Sequence, residues 1–116
     1  GARLAFPDRP VILLSGDGSI GFALPELEAA MRHNTPFVGV VADDRAWGIV
    51  ADGQISAYGP DGLMASTLGP VDYALVARGF GALGLCATTP EDLTAAIRIG
   101  LDSGRPTLVQ AQLPMP

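Results

Sequence analysis

The chain has 116 residues, 48% of them hydrophobic, with a formal net charge of −5, one cysteine, and cationic charge carried by arginine without lysine. That acidic balance excludes a nucleic-acid binder, which needs a basic footprint. The lone Cys86 excludes an intrachain disulfide and makes a cytoplasmic setting the default.

No apolar run reaches transmembrane length, so no membrane partner is expected. The mean hydropathy of +0.34 is high for so short a chain and implies apolar surface that more chain or another subunit would cover. The opening residues, Gly1 to Phe6, read as the tail of a helix, so a domain truncated at its N-terminus is expected. Pro10-Val11-Ile12-Leu13-Leu14 is a continuous apolar run ending near Gly16, the pattern of a strand buried on both faces. Pro25 sits at a first-turn position with Glu26 and Glu28 near the positive end of a helix. Leu24, Leu27, Ala30 and Met31 keep helical spacing to His33-Asn34. A second buried strand is expected over residues 37–42, closed by Asp43-Asp44.

The Gly-, Pro- and Asp-rich stretch from Asp52 to Pro70 reads as a long loop, of which Asp52 to Met64 is either a mobile surface loop or part of a lid, with the surface loop favoured. A helix is expected over residues 72–80 with Tyr73, Val76 and Ala77 on one side. A short strand follows over residues 83–87, with Cys86 in its core. Thr89 is the expected N-cap of a helix that starts at Pro90 and runs to about Ser103, and residues 107–112 form a last strand. This strand–helix alternation predicts an α/β fold, a parallel, doubly wound sheet with flanking helices. Residues 1–116 are expected to form a single partial domain.

Ligands in such sheets bind beyond the carboxyl ends of the strands. Asp17 and the Asp43-Asp44 pair stand at two such ends, and 27 positions separate Asp17 from Asp44. Parallel neighbours would bring these acids together, where they repel unless a cation lies between them. Hard oxygen donors suit Mg²⁺ or Ca²⁺, and Mg²⁺ completes its shell with phosphate oxygens and water. Gly16 and Gly18 permit close approach of backbone N–H groups to a phosphate, and Ser19 adds a hydroxyl donor.

The stretch GDGSIGFALPELEAAMRHNTPFVGVVADDRAWGIV resembles the thiamine-diphosphate motif, a Gly-Asp-Gly followed a little under thirty residues later by an Asn-Asn pair. AWGIV, YGPDG, LGPVDYALVARGFGALG and TPEDLTAAIRIGLDSGRPTLVQAQ extend the resemblance along nearly the whole chain. The surrounding residues look most like the acetolactate-synthase and benzaldehyde-lyase-like branch. The resemblance implies thiamine diphosphate and Mg²⁺ as cofactors, with Asp17, Asp44 and the Ala46 carbonyl as metal ligands. Gly16, Gly18 and Ser19 would contact the diphosphate, with Trp47 and Gly48 alongside it. The implied activity is that of a 2-keto acid decarboxylase or carboligase, acting on a 2-keto acid or related carbonyl compound. The implied assembly is a homodimer or homotetramer in which a partner subunit's pyrimidine-binding domain supplies the activating glutamate. These residues would then supply the diphosphate anchor, and the fragment alone would be inactive. Asp43-Asp44 in place of Asn-Asn is the departure, since Asp43 adds negative charge beside an anionic cofactor.

Other readings stand beside this one. Gly-Asp-Gly alone is an ordinary turn sequence. A non-catalytic α/β binding or assembly module would keep the fold without turnover. Gly16, Gly18 and Gly21 also match the glycine skeleton of a dinucleotide-binding turn, with an acid inside it. Trp47 reads as a packing anchor, and His33 as a helix C-terminal residue rather than a base. Arg45 is either a charge partner for the acids or a group facing a substrate carboxylate.

Overall fold

The computed structural model describes residues 1–115. Its frame is a parallel sheet of four strands in the order β1-β2-β4-β3, comprising β1 (Ile12–Gly16), β2 (Val38–Asp43), β3 (Leu83–Ala87) and β4 (Thr107–Gln112). Helices α1 (Ala2–Ala5), α2 (Asp17–Ile20), α3 (Glu26–Arg32), α4 (Gly48–Tyr58), α5 (Tyr73–Gly79) and α6 (Pro90–Asp102) complete the chain, with a 3₁₀ turn at Pro60–Gly62. The α/β alternation with a parallel sheet is as expected.

The two central strands carry the burial. Val38, Val41, Thr107, Leu108 and Val109 are almost wholly inaccessible. Side chains alternate across the sheet, so each strand feeds two cores. On one face Val41 and Leu108 pack with Ile20, Leu27, Tyr73 and Ala77 from α2, α3 and α5. On the other, Val38 and Val109 pack with Ala96, backed by Leu93 and Ile97 of α6. Helices on both faces make the sheet doubly wound.

α6 begins where the sequence says it should. Thr89 accepts the Asp92 N–H at 3.1 Å and Asp92 accepts the Thr89 N–H at 3.2 Å, a reciprocal capping box with Pro90 in the first turn. α3 ends as Asn34 takes a left-handed φ of 49°. His33 meets its neighbour's side chain, because its ring nitrogen accepts from the Arg32 guanidinium at 3.1 Å.

Three expectations are corrected. β1 is not buried on both faces: Ile12, Leu13 and Leu14 are 52%, 43% and 75% exposed. Among the described residues its one neighbour in the sheet is β2, so a run as apolar as an internal strand occupies an edge. Cys86 is exposed rather than core, since β3 is the opposite edge and Cys86 borders a cleft with Arg45, Gln110 and Gln112. The expected loop from Asp52 begins instead inside α4, which buries only Ala51 and so shows no apolar stripe.

Candidate cofactor and cation site

Register brings the acids together. Gly16 pairs with Ala42 across β1 and β2, so Asp17 and Asp43 leave the sheet at the same height, with Asp44 next along the chain. The cavity at this edge has a volume of about 390 Å³, within the range of small-molecule sites. All eight residues singled out from the sequence line it: Gly16, Asp17, Gly18, Ser19, Asp44, Ala46, Trp47 and Gly48.

Asp17 opens α2 and is only 3% exposed. Its Oδ1 accepts the Gly18 N–H at 2.7 Å, whereas its buried Oδ2 has no hydrogen-bond partner. Buried polar atoms are rarely left unpaired, because each one costs its desolvation. Burial pushes the Asp17 carboxyl above its ordinary range against the Gly18 N–H, and the Asp44 charge and the nearby Asp43 carboxyl add to the rise. An orphaned carboxylate oxygen beside a second carboxylate is a donor arrangement suited to a hard divalent cation.

Asp44 stands just beyond β2, its Oδ1 accepting the Ala46 N–H at 3.0 Å. Gly48 passes so close that a Cβ there would lie 2.7 Å from Asp44 Oδ2. Gly18 makes room for Trp47 in the same way, since a Cβ would lie 2.8 Å from the indole ring. Phe22 flanks that indole at 5.8 Å between ring centroids. Trp47 is therefore a packing anchor, as expected, and also a wall of the cavity.

Asp43 faces a different task. It is 6% exposed, and its Oδ2 accepts from Gln110 Nε2 at 2.6 Å. Gln110 Oε1 accepts the Tyr73 N–H at 3.0 Å, and Nε2 also donates to the Val71 carbonyl at 2.9 Å. Tyr73 closes the circuit by donating its hydroxyl to the Asp17 carbonyl at 3.3 Å. Burial raises the Tyr73 phenol, and the charges of Asp17 and Asp43 raise it further. The extra negative charge is thus tied to β4 and α5. Neither Gln110 nor Tyr73 was expected at the site, although a glutamine inside the apolar run Thr107–Ala111 signals a buried polar partner. Arg45 is exposed, held in a left-handed φ of 58°, with its N–H donated to Asp43 Oδ1 at 3.3 Å. Among the described residues, no set of three or more His, Cys, Asp or Glu side chains converges to hold a metal. No described helix is long and apolar enough to cross a membrane.

The fold and the sequence have counterparts among known proteins. Residues 1–111 match the family model of the thiamine pyrophosphate enzyme C-terminal TPP binding domain. The chain is 34% identical over 109 residues to an acetolactate synthase of Bacillus subtilis, covering 94% of this chain and 19% of that protein. It is 33% identical over 102 residues to a sulfoacetaldehyde acetyltransferase of Alcaligenes xylosoxydans, covering 88% of this chain and 17% of that enzyme. Among solved structures, a thiamine diphosphate-dependent 4-hydroxybenzoylformate decarboxylase of Rhodococcus jostii superposes with a TM-score of 0.90 at 28% identity, over 99% of this chain and 22% of its own. The chain spans about a fifth of the length of these relatives. By the match along almost all of its length, it belongs to the C-terminal TPP-binding domain family of thiamine pyrophosphate enzymes.

Proposed function

We propose that this chain is the diphosphate-anchoring part of a thiamine-diphosphate-dependent 2-keto acid decarboxylase or carboligase, with Mg²⁺ bridging protein and cofactor. The observation that carries the reading is the buried, unpartnered Oδ2 of Asp17 in a cavity shared with Asp44 and the Ala46 backbone. Two carboxylates and one carbonyl fit Mg²⁺, which takes one or two protein carboxylates and fills its shell with phosphate oxygens and water. Gly16, Gly18 and Ser19 would offer the diphosphate backbone N–H groups and a hydroxyl, with Trp47 and Gly48 beside it.

Thiamine diphosphate, when bound, supplies the carbanion chemistry at the substrate carbonyl, and the protein supplies position and electrostatics. Asp17 and Asp44 would hold a cation that offsets their own charge and that of the diphosphate. Trp47 forms one wall of the cavity. Gln110 and Tyr73 fix the strand ends on which the two acids stand. The carbonyl substrate and the pyrimidine-binding domain of a partner subunit belong to the larger protein, whose relatives are about five times the length of this chain. Residues 1–116 act as one part of that assembly, a homodimer or homotetramer, and the segment alone is inactive.

Calorimetry of the intact protein with thiamine diphosphate and Mg²⁺ tests the reading. Asp17→Ala is expected to abolish Mg²⁺-dependent binding, and an unchanged affinity would sink the assignment.

A further inference from the structure

We infer that Gln54, outside the cavity on α4, is a positioning residue that aims the Ala46 carbonyl at the cation. The inference rests on the proposed cation site and adds a residue that does not itself touch the ligand. Gln54 Nε2 donates to the Met64 carbonyl at 3.0 Å, and its Oε1 accepts the Met64 N–H at 3.1 Å. One side-chain amide thus occupies both backbone groups of a single residue, as a neighbouring strand would. The buried Ser66 hydroxyl lies 2.6 Å from the same Oε1.

Between Met64 and Ser66 the chain turns through Ala65, whose φ of 55° is left-handed. An alanine keeps that conformation only where its surroundings impose it. The Gln54 clamp on both sides of Ala65, with the Ser66 hydroxyl also donating to the Met64 carbonyl at 3.1 Å, is that constraint. Beyond the turn, residues 66–68 run antiparallel to residues 45–47. The Ser66 carbonyl accepts the Trp47 N–H at 2.8 Å, the Leu68 N–H donates to the Arg45 carbonyl at 2.7 Å, and Ala46 bridges Thr67 between them.

Peptide planarity carries the effect to the site. In a trans peptide the carbonyl and the N–H point in opposite directions. Donation of the Trp47 N–H to Ser66 therefore turns the Ala46 carbonyl away from the 66–68 segment. Asp44 Oδ1 holds the Ala46 N–H on the preceding peptide, so the residue is fixed from both sides. Removing the Gln54 amide leaves residues 64–66 held only by the Ser66 hydroxyl on the Met64 carbonyl and by the pairing with residues 45–47, and so loosens the acceptor that orients the Ala46–Trp47 peptide.

The test measures, by calorimetry on the intact protein, the Mg²⁺ concentration that half-saturates thiamine diphosphate binding. It is paired with hydrogen exchange of the Trp47 amide in metal-free protein. Gln54→Met keeps the length and removes every hydrogen bond. It is expected to raise the half-saturating Mg²⁺ about tenfold, the order found when a group behind a metal ligand is lost, and to speed Trp47 exchange. Gln54→Glu keeps acceptors for Met64 N–H and Ser66 but loses the donor, and is expected to fall between the two. A folded Gln54→Met with a lower unfolding midpoint but unchanged Mg²⁺ dependence would overturn the inference. If Gln54→Met does not fold, Gln54→Glu decides on the same criterion. Asp17→Ala separates the two readings: lost binding there with wild-type binding in Gln54→Met rejects Gln54 alone, whereas wild-type binding in Asp17→Ala rejects the cation site beneath it.

Discussion

Burial, with the carboxylates of Asp44 and Asp43 nearby, holds the Asp17 carboxyl above its ordinary range, so folding disfavours its ionised form. The sign follows from linkage. A carboxyl raised in the folded state costs stability once pH climbs above its unfolded value, and the cost is complete above its folded value. Without metal, Asp17→Asn is therefore expected to raise the unfolding midpoint near neutral pH and flatten its decline between those two values. In thermal melts across pH, an unchanged midpoint and slope would contradict this. Mg²⁺ with thiamine diphosphate should stabilise the wild type by about 2.7 kcal/mol at a hundredfold excess over Kd, and stabilise Asp17→Asn less. Gln110 is the counterpart on the structural side. Gln110→Ala strips Asp43 and the Tyr73 N–H of a buried partner, so urea unfolding should report a loss of about 3 kcal/mol, from 1–3 kcal/mol per unsatisfied group.

Elements were legible where their signals were local. The β4 expectation coincides with Thr107–Gln112, and the Thr89 cap and Pro90 mark the first turn of α6. Asp92 accepts from the Thr88 hydroxyl and N–H and from Thr89, which holds its carboxyl below the ordinary range. Its stabilising effect is full above the unfolded value and is lost as pH falls through the depressed folded one. Thr89→Ala should cost about 1 kcal/mol in chemical denaturation, and Asp92→Asn should remove the acid-limb slope that this carboxylate contributes. α4 escaped the sequence because Gly48–Tyr58 buries one alanine and scatters Ile49, Val50 and Ile55 around its axis. α2 escaped because one turn beginning Asp-Gly is indistinguishable from a loop until Ile20 is seen in the core. The gathering of the candidate residues was legible, since it needs only that β1 and β2 be parallel neighbours. The Gln110 and Gln54 links were not, because each joins segments whose proximity only the tertiary fold creates.

For the whole molecule, the open edge of β1 matters most. Leu14 at 75% exposure, with Ile12 and Leu13 beside it, forms an apolar edge of the kind that templates pairing with another chain. Phe22 and Ile49 add apolar surface at 81% and 92% exposure. Expressed alone, these 116 residues should self-associate in light scattering, and Leu14→Lys should shift them toward monomer. A monodisperse wild-type monomer with a cooperative melt would refute that. The mean hydropathy foretold an excess of apolar surface but not its place at β1, because a run of Val, Ile and Leu reads alike at an edge and at a sheet centre.

Trp47 is the chain's single tryptophan, and it lies against Gly18 and Phe22 on the cavity wall. Within this domain every photon of indole emission therefore originates at the candidate site. Occupancy of the cavity can be followed optically, in real time and without a label, by the same ring that shapes it.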